Sequence, residues 1–149
     1  MEIPWTRFEQ PGAGPEAVVM SSIFELKTAL RAPVFLMYAM RLWRQARRSP
    51  GILGVSLRAQ PLKGTFRTLS AWTDEQALAG FARTDPHAAA LNRIRPWTKS
   101  STFRFWSVPV GELTAGTFSP AGLWADGVAR VAAAEPDGGS PPATAPREP

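Results

Sequence analysis

The order in which extended and helical patterns follow one another limits this chain more than any single motif. Val18 to Lys27 is rich in Val, Ile and Phe, with Met20, Ser22, Phe24 and Leu26 on one face and Val19, Ser21, Ile23 and Glu25 on the other. That alternation predicts a strand with both faces partly buried. Ala32 to Arg48 predicts a helix with Pro33 in its first turn, a core stripe of Phe35, Ala39, Leu42 and Ala46, and a stop at Ser49-Pro50-Gly51. Two further strands, Ile52–Gln60 and Thr65–Trp72, flank a turn at Pro61–Gly64 and read as a hairpin. Thr73 and Gln76 have capping-box spacing, so a second helix starts there, with Ala77, Leu78 and Phe81 facing inward. Asp85 and Pro86 predict a kink in it, because Pro cannot continue a helix but can open a new segment. A fourth strand covers Thr102–Val108, and a weaker final helix runs from about Pro120 to Ala133.

The resulting order, β-α-β-β-α-β, is the split βαβ arrangement: an α+β fold of ferredoxin-like type, with an antiparallel sheet and both helices on one face. The strands carry large apolar groups on their second face too. A single copy would leave that face wet, so the pattern predicts a homodimer joined sheet to sheet.

One core is what 149 residues can support, and the domain is expected over 16–134. Residues 1–15 read as an arm and a loop, with Pro4, Trp5 and Phe8 suggesting that the arm docks. Residues 135–149, made of Pro, Gly, Ser, Ala and charge, predict a disordered tail. The lack of cysteine excludes disulfides, thiolate metal sites and cysteine nucleophiles. The first ten residues do not have the pattern of a signal peptide, and the most apolar run, Pro33–Trp43, is too short to span a bilayer, so a cytoplasmic protein with no membrane partner is expected. A net charge of +5 permits contact with nucleic acid, but no recognition motif accompanies it, and nucleic-acid binding is not expected. Nor is there a Gly-rich phosphate loop or a paired metal-ligand spacing.

The run Ser70-Ala71-Trp72, followed by Leu78, Phe81, His87 and Trp97, resembles an uncharacterised bacterial family in the antibiotic-biosynthesis-monooxygenase-like, dimeric α/β-barrel superfamily. The resemblance spans about residues 18–108. It implies a barrel closed between two subunits, a cavity between sheet and helices in each, and, in characterised relatives, oxidation of aromatic polyketides by oxygen without a cofactor. Many relatives have no known activity. The haem-degrading branch places a Trp on the second helix well ahead of an axial His; here Phe81 occupies that region and His87 follows six residues later, so haem is not expected.

His87 is the only histidine, and it shares a helical face with Leu91 and Ile94. Two readings of it stand: a packed ring bonded to a backbone carbonyl, or a proton acceptor for a bound phenol. Trp72, Trp106 and Phe81 are candidate aromatic walls for a flat ligand, or core residues. Arg58, Arg67 and Arg104 lie at strand positions from which they either hold an anionic ligand or enolate, or remain solvated. Met37 and Met40 fall outside the core stripe of the first helix, and Arg41, Arg44, Arg47 and Arg48 read as its solvated face. Two functions fit this reading: a cofactor-independent oxygenase acting on an aromatic molecule, and a non-catalytic binding or regulatory module on the same fold.

Overall fold

The computed structural model describes residues 1–133; the predicted tail at 135–149 lies outside the described residues. Five strands form one antiparallel sheet: β1 (Glu2–Arg7), β2 (Glu16–Leu26), β3 (Ile52–Gln60), β4 (Thr65–Trp72) and β5 (Thr98–Pro109). Their order across the sheet is β1-β3-β4-β2-β5. The helices are α1 (Ala32–Arg48), α2 (Glu75–Arg83), α3 (His87–Ile94), the short α4 (Val110–Thr114) and α5 (Pro120–Ala132). Strands β2 to β5 with α1 and the α2–α3 pair make the expected split βαβ fold, and the limits of α1, β3 and β4 fall where the sequence pattern places them.

The N-terminal arm is a strand. β1 pairs antiparallel with β3 at the edge of the sheet, and Gly54 of β3 makes room for it. A Cβ at Gly54 would lie 1.9 Å from the Trp5 ring, so only glycine lets that indole lie flat on the strand. Gly64 closes the β3–β4 turn with φ +66°, a left-handed conformation that glycine adopts without steric cost.

Between α2 and α3 the expected kink is a full break, with Thr84, Asp85 and Pro86 outside both helices. The start of α2 is also displaced by one residue: Asp74, rather than Thr73, is the N-cap, its carboxylate accepting from Ala77 N at 2.7 Å. A carboxylate at that position meets both the free amides and the helix dipole, whereas a Thr hydroxyl meets only the amides.

Register divides the strand residues between two faces. Phe24 opposes Phe66, and Ser22 opposes both Thr68 and Phe103, all toward α1, α2 and α3. On the reverse, Val19 opposes Ala71 and Trp106, and Ser21 opposes Leu69 and Arg104. This second face, expected to pack against another subunit, is covered within the chain by α5. Leu123 and Trp124 join Val19, Leu69 and Ala71 in one buried cluster. Trp124 is 1% exposed and donates from Nε1 to Ser56 Oγ at 3.1 Å. Gly127 brings α5 so near the sheet that a Cβ there would approach Ser21 Oγ to 2.8 Å. Phe24, Phe66 and Phe103, on the other face, belong to the core beneath α1.

Candidate ligand cavity

Between the sheet and the helices α1, α2 and α3 lies a cavity of about 80 Å³. Its floor is β2, β3 and β4, presenting Met20, Ser22, Val55, Leu57, Thr68 and Trp72. Its roof is the inner face of α1, with Phe35, Tyr38, Ala39, Leu42, Trp43 and Ala46, and one wall is Phe81 and His87 with Leu91 and Ile94. The i, i+4, i+7 spacing that put His87, Leu91 and Ile94 on one helical face therefore brings all three to the same space.

The lining is almost wholly apolar, and its few polar groups are concentrated on the floor. Ser22 Oγ and Thr68 Oγ1 are hydrogen-bonded partners across the β2–β4 pair. Ser70 Oγ accepts from Trp72 Nε1 at 2.9 Å, which explains how a fully buried indole is satisfied there. On the roof, Trp43 Nε1 is buried and has no acceptor among the described residues, while Arg47 stacks on the Trp43 ring at 4.6 Å.

His87 is held from three sides. Its Nδ1 lies 3.1 Å from Ala82 O, and its ring packs on Phe81 at 4.6 Å between centroids. Its backbone N–H donates to Gln45 Oε1 at 2.8 Å, while Gln45 Nε2 donates to Phe81 O and Thr84 O at 3.2 and 2.9 Å. One side chain of α1 thereby fixes the α2–α3 break and with it the imidazole. Burial lowers the His87 pKa, with the Ala82 carbonyl opposing in part. The ring is therefore neutral near pH 7; an Nδ1–H donated to Ala82 leaves the Nε2 lone pair as the proton acceptor.

Of the residues singled out from the sequence, Trp72, Phe81 and His87 meet at the cavity. Trp106, Arg58, Arg67 and Arg104 do not; strand alternation puts all four on the reverse face. There Arg58 pairs with Glu2 at 2.8 Å and lies over the Trp124 ring at 4.4 Å, and Arg130 covers Trp106 at 4.6 Å. Arg67 stands opposite Arg58 and Ile23, and Arg104 donates to Phe103 O at 2.7 Å. The hydroxyl floor of Ser22, Thr68 and Ser70 had a signal that sequence reasoning missed: each has one aromatic residue two positions away, Phe24 after Ser22, Phe66 before Thr68 and Trp72 after Ser70, so each is a polar interruption of an otherwise buried face. Among the described residues no group of three or more His, Asp or Glu is placed to hold a metal ion.

No protein-family model matches this chain, and no curated protein matches it in sequence. Solved structures do. A candidate antibiotic biosynthesis monooxygenase from Caulobacter crescentus matches at TM-score 0.55 and 18% identity, over 62% of this chain and 89% of that one. Another from Nitrosomonas europaea matches at TM-score 0.54 and 11% identity, over 64% and 91%. The chain has the antibiotic biosynthesis monooxygenase-like fold. A protein from Shewanella oneidensis matches at TM-score 0.57 and 12% identity, over 71% of this chain and 98% of that one. All three chains are matched over nearly their full length, and the part of this chain left over amounts to between about three and four tenths of it. No helix among the described residues is long and apolar enough to cross a membrane.

Proposed function

We propose that this protein binds a flat, oxygen-bearing aromatic molecule of polyketide type in the cavity under α1 and oxidises it with dioxygen, without a cofactor. The observation that carries the reading is a buried neutral imidazole on the wall of an aromatic-lined cavity. A phenol in that space gives its proton to His87 Nε2. The electron-rich ring carbon of the resulting phenolate then bonds to dioxygen, the peroxide takes the proton back from the His87 imidazolium, and loss of water, which carries away the hydrogen of that ring carbon, leaves a carbonyl, so that one phenol and one O₂ yield one quinone and one H₂O with His87 neutral again. The Ser22–Thr68 hydroxyls and the Trp43 N–H supply hydrogen-bonding groups for the ligand's oxygens. An apolar cavity of about 150 Å³ holds benzene. At about 80 Å³ the resting space is smaller, so α1 or α3 moves outward when a larger ring system enters.

The test is His87→Gln, assayed by oxygen uptake with a panel of naphthols and hydroxyanthrones. Loss of the base lowers turnover by about 100-fold or more while the protein stays folded. No turnover by wild type across the panel, or a rate that survives the substitution, overturns the catalytic assignment. The second reading, a binding or regulatory module, draws on the Nδ1–Ala82 bond and the packing on Phe81, which are what a structural histidine makes. It is supported if a panel member raises the melting temperature and is recovered unchanged after prolonged exposure to air. A homodimer is part of the proposal on the strength of the family resemblance alone, since the apolar face that first suggested it is filled by α5.

A further inference from the structure

Five large apolar side chains are exposed among the described residues, and four of them gather at one corner. Leu30, 87% exposed, lies on the 3-10 turn Ala29–Arg31, and Leu62, 96% exposed, lies on the neighbouring 3-10 turn Pro61–Lys63. The two turns are in contact with one another and with α1. Val34 and Met37 continue the patch along the outer face of α1. Beyond them the same stripe, at alternating steps of four and three residues, carries Arg41, Arg44 and Arg48.

Charge at this corner has one sign. From Leu26 to Thr73 the chain has no Asp or Glu, against two lysines and seven arginines. Lys27, Arg31 and Lys63 stand next to the exposed leucines. None of these cations, nor Arg41, Arg44 or Arg48, has an ion-pair partner among the described residues.

We infer that this corner docks on an anionic membrane surface. The leucines project singly from convex turns, a shape suited to insertion among lipid headgroups rather than to the flat, aromatic-rich and Lys-poor centre of a protein interface. The cations then lie at headgroup level, where a negative surface attracts them. The inner face of α1 roofs the cavity, so docking brings the site against the phase in which flat apolar molecules collect. The inference stands without the oxygenase reading, because binding alone tests it.

The experiment is co-sedimentation of the full chain with vesicles of phosphatidylcholine, and of phosphatidylcholine mixed with phosphatidylglycerol. Wild type partitions to the mixed vesicles and is released as salt is raised. Leu30→Gln with Leu62→Gln lowers the partition coefficient by more than about tenfold with no change of charge, and Lys27→Gln with Lys63→Gln lowers it too. Arg83→Gln with Arg93→Gln, an equal loss of charge elsewhere, leaves it within about twofold of wild type. Urea midpoints of all the variants confirm that they remain folded. Three results overturn the inference: no binding to mixed vesicles at low salt; binding indifferent to the leucines, which marks net charge alone; or leucine variants that instead break a self-associated wild type or abolish capture of an acidic protein, which assigns the corner to a protein partner.

Discussion

Removing the indole of Trp124 tests the feature that separates this chain from a bare split βαβ sheet. The side chain is 1% exposed, packs with Leu123 against Val19, Leu69 and Ala71, donates to Ser56 Oγ and lies beneath Arg58. Truncating a buried Trp to Ala costs about 3–5 kcal/mol through lost transfer energy and the cavity left behind. The Arg58 stack contributes about 0.5–1 kcal/mol at such a half-exposed site. Ser56 Oγ keeps one partner, donating to Ile3 O at 2.8 Å, so no orphaned hydroxyl adds to the cost. Trp124→Ala is therefore expected to lower stability by about 4 kcal/mol, a large share of the roughly 5–15 kcal/mol typical of a whole domain. Trp124→Phe, which keeps most of the ring and loses the N–H, costs about 1 kcal/mol and remains measurable if the Ala variant does not fold. Urea unfolding followed by far-UV circular dichroism reads both. A change under about 1 kcal/mol for Trp124→Ala would mean that α5 does not rest on the sheet in solution, and the reverse face would again need another partner.

Stability should also depend on pH through His87. Its folded pKa is lowered by burial, so below about pH 6.5 the unfolded chain takes up a proton that the folded one resists. The contribution is complete above the unfolded pKa and is lost as pH falls through it, so the urea midpoint drops on acidification and His87→Gln flattens that drop; a midpoint that rises on acidification refutes the assignment. In the catalytic reading, kcat/KM is flat near neutrality and falls on the acid side as the imidazole gains its proton, with a midpoint below that of free histidine. Gly54→Ala forces the Trp5 ring off β3 and costs about 2 kcal/mol, whereas the same change in a Trp5→Ala background costs well under half of that. Equal costs in the two backgrounds would place Trp5 elsewhere. Sedimentation at micromolar concentration decides the homodimer, and a single monomeric species removes it.

The elements were legible in the sequence wherever the signal was local. Alternation in β3 and β4, Pro33 and the apolar stripe of α1, and the break at Pro86 all rest on residues within a turn or two of each other. β1 was not legible, because its pairing is made by β3, some fifty residues away, and by the missing side chain at Gly54. The weak pattern of α5 suggested a helix without telling where it goes; its destination depends on Ser56, Ser21 and Leu69 meeting on one face. The candidate site divides in the same way. Helical spacing led His87 to the cavity, and period two kept Trp72 in phase with Thr68 and Phe66. Which strand face the helices cover is a property of the assembled sheet, and for that reason Arg58, Arg67, Arg104 and Trp106 were grouped with a site they do not reach.

Gln45 has a consequence for how quickly the cavity can be filled. The amide of this one residue makes three hydrogen bonds to the α2–α3 break, so α1 cannot lift from α2 and α3 by degrees: the contacts are kept together or lost together. Opening then resembles the release of a latch, with a closed state and an open one and little between them. Ligand entry would be paced by that release rather than by diffusion, giving an association rate that levels off as ligand concentration rises. The side-chain amide protons of Gln45, held by Phe81 O and Thr84 O, would exchange with solvent at the same pace, so a single rate constant would be seen in two unrelated measurements.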